Sequence, residues 1–180
     1  MKFTRYLVLA LAVTALFSLA AYAQKTSAKR TTKASTTKSA AALPPLDVRA
    51  ARVKVSNQQT NVGLFLERLG PIAQAIEALD AEAAASKKLK QESLDKNAAD
   101  KQKVIAAIRG LREGMVKLES EFRVKPVLKK YLPTIQGISE LAGQAETSAI
   151  AGKFVASNAP LRTIQQKLND TLAAMPNAEL

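Results

Sequence analysis

The sequence predicts an all-α protein: an antiparallel four- to five-helix bundle preceded by a signal peptide and a disordered basic tether. Three observations lead there. Between Val104 and Phe122 the apolar residues Val104, Ile105, Ile108, Leu111, Met115, Leu118 and Phe122 recur in steps of three and four. That spacing gathers side chains on one face of a helix. Similar stripes lie on either side of it, whereas the strand-like run Val53-Lys54-Val55 has no partner run with which to build a sheet. Finally, a chain of 180 residues is long enough for one ordinary domain and short for two. A helix with a single apolar stripe is marginal alone in water, so the stripes must cover one another.

Residues 1–23 read as a cleaved secretory signal peptide. Lys2 and Arg5 give the positive start, Leu7 to Ala20 the apolar run, and Ala21-Tyr22-Ala23 the small-x-small site before Gln24. The run is shorter than the roughly 20 apolar residues of a bilayer span, so no transmembrane segment is expected after cleavage. Residues 24–45 read as the tether. As far as Ala42 they offer Lys, Thr, Ser and Ala with no large apolar side chain, so burial cannot offset the cost of ordering the backbone. Pro44-Pro45 stiffens the end of it. The bundle domain is expected over residues 46–180.

Within that domain Asp47 is a suitable N-cap for a helix carrying Val48, Ala51, Val55, Val62, Phe65, Leu66 and Leu69. Gly70-Pro71 is expected to end or kink it. A second stripe at Ile72, Ile76, Leu79 and Ala83 loses phase beyond Lys87, Lys88 and Lys90. A turn is therefore expected near 91–97, with Asn97 and Asp100 resembling a capping box; one longer continuous helix is the alternative. The central helix should stop near Arg123, because Lys125 precedes Pro126 and is driven out of the α region. Pro126 then opens a helix with Leu128, Leu132, Ile135, Ile138, Leu141, Ala145 and Ala149 on one side, closed by Gly152. Ser157 or Asn158 caps the last helix, which carries Leu161, Ile164, Leu168, Leu172 and Met175 and ends at Pro176. Pro71, Gln74, Ile76, Leu79 and Ala83 are echoed by Pro133, Gln136, Ile138, Leu141 and Ala145. A duplicated helical hairpin produces such an echo, and so does chance in an Ala- and Leu-rich chain.

The residues that are missing narrow the chemistry. The chain has no cysteine, histidine or tryptophan. Disulfides, thiolate nucleophiles and imidazole bases are thereby excluded, as are the ligands that zinc and copper favour. No Asp-x-Asp-x-Asp-Gly run provides a calcium loop. Neither a metal nor a cofactor is expected. The acidic pairs Glu77/Asp80, Glu92/Asp95 and Glu119/Glu121 lie among lysines and arginines and read as ion pairs on solvated helix faces. Ser86-Lys87 falls at a helix end or turn, not at the helix start that a serine–lysine nucleophile uses. The expectation is a protein that is not an enzyme.

Charge is the remaining clue. With 27 basic and 15 acidic side chains the formal net charge is +12. Lys25, Lys29, Arg30, Lys33 and Lys38 lie in the tether with no acidic residue among them, and Arg123, Lys125, Lys129 and Lys130 surround Pro126 beside Tyr131. These nine are the candidate contacts for a polyanion. Each set also reads as solubilising charge or as cations at a helix end. The scarcity of aromatic stacking platforms argues against a specific nucleic-acid role. The sequence thus leads to an exported, periplasmic or secreted, non-enzymatic binding or structural protein of the cell envelope. Its tether would contact an anionic polymer or surface, and its helix faces a protein partner. The alternative is a periplasmic carrier or chaperone-like holdase that shelters apolar ligands or unfolded clients between helices.

Overall fold

In a computed structural model of the protein, residues 44–85 and 88–177 are described, all within a unit spanning residues 41–180. The expected signal peptide, the tether as far as residue 43 and the Ser86-Lys87 pair lie outside the described residues. Among the described residues there are five α-helices and no strand: α1 Leu46–Ala84, α2 Gln91–Val124, α3 Leu132–Ile135, α4 Ile138–Ile150 and α5 Asn158–Ala174. A 3-10 turn at Pro126–Tyr131 precedes α3, and another at Val155–Ser157 precedes α5.

With 39 residues, α1 is about 58 Å long at the usual rise per residue. It buries Val48, Ala51, Val55, Val62, Leu66, Leu69, Ala73 and Ile76, and packs on both α5 and α2. Gly70-Pro71 does not end it. Pro71 is exposed, while Leu69, Ala73 and Ile76 keep the buried stripe in phase on either side. An internal proline costs about 3 kcal/mol through its missing N–H and its ring; burial of that continuous stripe offsets the loss. Nor does Asp47 cap the helix. The N-cap is Pro45, and Asp47 instead accepts a bond from Lys125 Nζ at 2.8 Å.

The link to α2 comes earlier than the expected 91–97, since α1 ends at Ala84 and α2 begins at Gln91. Asn97 lies inside α2, buried, and its Nδ2 donates to Asp80 Oδ1 at 2.8 Å rather than acting as a cap. Lys101 Nζ donates to the same oxygen at 2.6 Å. This polar contact aligns the two helices beyond the point where the buried stripe of α1 has run out. The pairs Asp47–Lys125, Lys54–Glu121 and Asp80–Lys101 ascend along α1 while descending along α2, so the two helices run antiparallel.

Pro126 does not open the single helix expected as far as 149. The chain makes a 3-10 turn, then the four-residue α3, then a bend at Gln136 (φ −56°, ψ 135°) and Gly137 (φ 89°, ψ 1°). Those angles are a type II turn, whose third position requires positive φ and therefore favours glycine. Leu128, Ile135, Ile138, Ala145 and Ala149 are nonetheless all buried: their helical spacing survives because the turn restores the same face. Pro133 lies at the start of α3 and Pro71 deep inside α1, so the echoed prolines do not occupy equivalent places.

As expected, α4 closes at Gly152. Positive φ there (76°) lets Gly152 N donate to Ala149 O and Lys153 N to Ser148 O, the paired bonds of a Schellman cap. Ser157 is the N-cap residue of α5, as expected, but its hydroxyl makes no capping bond: it is buried and donates to Ala145 O at 3.0 Å, tying α5 to α4. At the other end of α5, Arg52 of α1 donates to Leu172 O, Met175 O and Asn177 Oδ1. Around these ties Phe122, Phe154, Met115, Ile108, Leu161 and Ile164 belong to one hydrophobic cluster.

Arg52→Ala removes the donors that satisfy the end of α5. It should destabilise the protein by about 1–3 kcal/mol, read as a lower urea midpoint with the slope unchanged. Arg52→Lys should recover only part of that loss, because an ammonium lacks the planar fork of the guanidinium.

Candidate functional site

The basic turn predicted around Pro126 begins where α2 ends. Lys125 is extended (ψ 118°), as a residue before proline should be, and Pro126, Val127, Lys129 and Lys130 follow on an exposed 3-10 turn. The structure divides the four cations into two pairs. Arg123 is bonded to Glu119 one turn back. Lys125 bridges Asp47 at 2.8 Å and Glu121 at 2.9 Å, and these carboxylates hold its pKa above the ordinary lysine value. Lys125 thereby ties α2 to α1, and Arg123 is bound within α2 to the carboxylate of Glu119. Lys129 and Lys130 are exposed, and neither has a carboxylate partner among the described residues. Lys130 Nζ lies 4.8 Å from the ring centroid of Tyr131, a cation–π contact. Tyr131 itself is buried, so it offers no open ring for a base to stack on.

Beside this turn is a groove of about 430 Å³ lined by Pro44, Pro45, Val48, Pro126, Val127, Lys130, Tyr131 and Pro176. Its only charged wall residue is Lys130. Pro44, the first described residue, is part of the wall; Lys25, Lys29, Arg30, Lys33 and Lys38 precede it in the sequence. Those five lie outside the described residues.

Sequence reasoning missed two carboxylates. Glu119 was expected on a solvated face with Glu121, yet its side chain is only 3% exposed. It accepts from the backbone N–H of Gly137 (3.0 Å), and from both the N–H (3.0 Å) and the hydroxyl (2.6 Å) of Ser139, besides its pairing with Arg123. Burial alone would raise its pKa. The bonds from Arg123, Gly137 and Ser139 outweigh burial and hold it at about 2. Glu146 of α4 is likewise buried, and receives Arg109 Nε at 2.8 Å and Arg112 Nη1 at 2.7 Å from α2. These two guanidinium bonds lower its pKa, against burial. Glu121, half-buried between Lys54 and Lys125, is also lowered: burial acts upward, and the bonds from the two lysines prevail. The signal for Glu119 and Glu146 was their phase. Glu119 stands four residues after Met115 and three before Phe122, and Glu146 four after Ala142 and three before Ala149. Both positions belong to buried stripes.

At the far end, α1 and α2 enclose a groove of about 420 Å³, with Ile72, Ile76 and Leu79 on one wall and Ser93, Lys96 and Asn97 on the other. Asp80 fixes which way the Asn97 amide points, because a carboxylate can only accept. Asn97 Oδ1 is left buried without a hydrogen-bond partner. Among the described residues no group of His, Cys, Asp or Glu is arranged to hold a metal ion, and no helix is long and apolar enough to cross a membrane.

No family model, curated protein or solved structure matches the chain.

The Glu119 cluster generates a pH prediction. A folded-state pKa near 2, against 4.5 for the free group, makes Glu119 stabilising above about pH 4.5, with that stability lost as pH falls toward 2. The shift corresponds to about 3 kcal/mol. Urea midpoints measured from pH 7 down to pH 2.5 should therefore decline steeply below about pH 4.5. Glu119→Gln should lower the midpoint at pH 7 and flatten that decline; an unchanged slope would rule out Glu119 as its source.

Proposed function

We propose that the protein is an exported, non-enzymatic binding or structural protein of the cell envelope, periplasmic or secreted. In this reading the five helices form an antiparallel bundle that carries a flexible basic tether. Lys25, Lys29, Arg30, Lys33 and Lys38 contact an anionic polymer or surface together with Lys129 and Lys130, and the helix faces meet a protein partner. The observation that carries the reading is that Lys129 and Lys130 are exposed without a carboxylate partner among the described residues, beside the groove that Pro44 helps to line. Arg123 and Lys125 are withdrawn from the proposed contact set, since their charge is spent on Glu119, Glu121 and Asp47. Support for a role other than catalysis comes from Glu119, Glu121 and Glu146. All three are held ionised by cationic partners, the opposite of the raised pKa that a carboxyl needs to donate a proton near neutral pH.

The second reading, a carrier or holdase for apolar ligands or unfolded clients, is favoured by the groove bearing Ile72, Ile76 and Leu79. It predicts binding of a hydrophobic dye that salt does not weaken.

The leading reading is tested with inorganic polyphosphate as the probe, on the exported protein and on a version lacking residues 24–42. Affinity for the intact protein should fall by about tenfold or more between about 0.05 M and about 0.2 M salt, as multivalent charge contacts do. Deleting residues 24–42 should abolish most of the binding, and Lys129→Gln with Lys130→Gln should weaken what remains. Salt-independent binding, or binding indifferent to the deletion, would overturn the assignment to the tether.

A further inference from the structure

The end of the helical unit that carries Lys129 and Lys130 is apolar as well as basic. Pro45, Leu46, Val124, Pro126, Val127 and Pro176 are all exposed there. Leu46 and Val124 are the most exposed large hydrophobic residues of the described chain, at 75% and 73%. They belong to neighbouring structure: Pro45, Pro126, Val127 and Pro176 line the same groove, and Asp47 is bonded to Lys125. A soluble polyanion would make no use of these side chains. The acidic residues nearby present little repulsion, because Asp47 and Glu121 are bridged by Lys125 and Glu119 is buried against Arg123.

We propose that this end docks on the surface of an anionic lipid bilayer. Leu46, Val124 and Val127 enter the headgroup region, while Lys129 and Lys130 meet the lipid phosphates. The inference rests on the anionic-surface reading above and names the surface. Two contributions of different kind make stable peripheral attachment, since apolar insertion or a few basic residues alone gives only marginal binding. The fold presents both at one end. Charge complementarity also favours this occupant over a second copy of the chain, whose matching end would carry the same unpaired lysines. None of the described helices is apolar enough to span a bilayer, so the molecule lies on the surface.

The test uses the exported protein and vesicles of phosphatidylcholine, with and without about one-third phosphatidylglycerol, beside polyphosphate as a lipid-free polyanion. Binding is expected to the anionic vesicles and not to the neutral ones. Leu46→Ser, Val124→Ser and Val127→Ser combined should weaken vesicle binding by about tenfold or more and leave polyphosphate binding unchanged. A second measurement does not depend on that variant folding. The chain has no cysteine, so Val127→Cys and, as a control on the exposed far end of α2, Ala99→Cys each give one site for an environment-sensitive dye. The dye at 127 should shift to the blue on anionic vesicles and not on polyphosphate, and the dye at 99 should shift on neither. If vesicles and polyphosphate bind alike and the dye at 127 does not respond, the bilayer is overturned and the polyanion reading stands. If neither probe binds, both readings fall.

Discussion

The buried carboxylate of Glu119 is the constraint on which the path of the second half of the chain depends. No helix in the described structure has a side-chain cap supplied by its own N-cap residue. At the start of α4 and around both ends of α5 the partner comes from another helix instead. Glu119 of α2 reaches the N–H groups of Gly137 and Ser139 at the start of α4, where an anion also suits the positive end of the helix dipole. Glu77 of α1 receives Val155 N at 2.8 Å, just ahead of α5, and Arg52 closes the carbonyl end of α5. Each such bond satisfies a terminus and fixes where that terminus lies, so capping and tertiary packing become one event. Breaking Glu119 therefore releases the turn at Gly137 as well as one hydrogen-bonded group.

That arrangement explains which parts of the fold were legible in the sequence. Helical class and the buried faces were, because burial follows the apolar period directly: Val104, Ile108, Met115, Leu118 and Phe122 of the central stripe are all buried. Stops imposed by backbone chemistry were legible too, as at Lys125 before Pro126 and at Gly152. Starts were not, apart from that of α5 at Ser157. Asp47, Asn97 and Ser157 all have the side chain of an N-cap, and each is bonded to a distant residue instead. A cap supplied across the fold leaves no local spacing to read. The break at Gly137 was hidden for a related reason, since a turn that returns the chain to the same face leaves the apolar period intact.

The candidate site was legible in part. Arg123, Lys125, Lys129 and Lys130 stand out as a cluster in one dimension, but sequence cannot assign carboxylates to them from 47 or 119. The structure separates cations that serve the fold from cations that do not, and the distinction is energetic. A guanidinium or ammonium bound to a buried or half-buried carboxylate cannot leave it without leaving that charge less compensated. Arg123, facing Glu119, is under that restraint, and Lys125 is under it through Glu121. Lys129 and Lys130 are not.

The two ends of the helical unit differ in the same terms. At the far end the contact between α1 and α2 depends on Asp80, Asn97 and Lys101, with Asn97 Oδ1 unsatisfied, so the polar match there is incomplete. At the end carrying Lys129 the described carboxylates are paired with cations, although Glu121 Oε1 is also buried without a hydrogen-bond partner, and what is left over is positive charge and aliphatic surface. A buried network tolerates loss of a partner badly, whereas exposed lysines and aliphatic residues can exchange water for a ligand without disturbing the core. The binding proposed at this end would draw on groups whose engagement leaves the ties among α1, α2 and α4 intact. Among the described residues no carboxylate competes with an anionic ligand at Lys129 and Lys130, as one would at Arg123 or Lys125. That separation lets one short turn close the C-terminus of α2 and still present free charge to a surface.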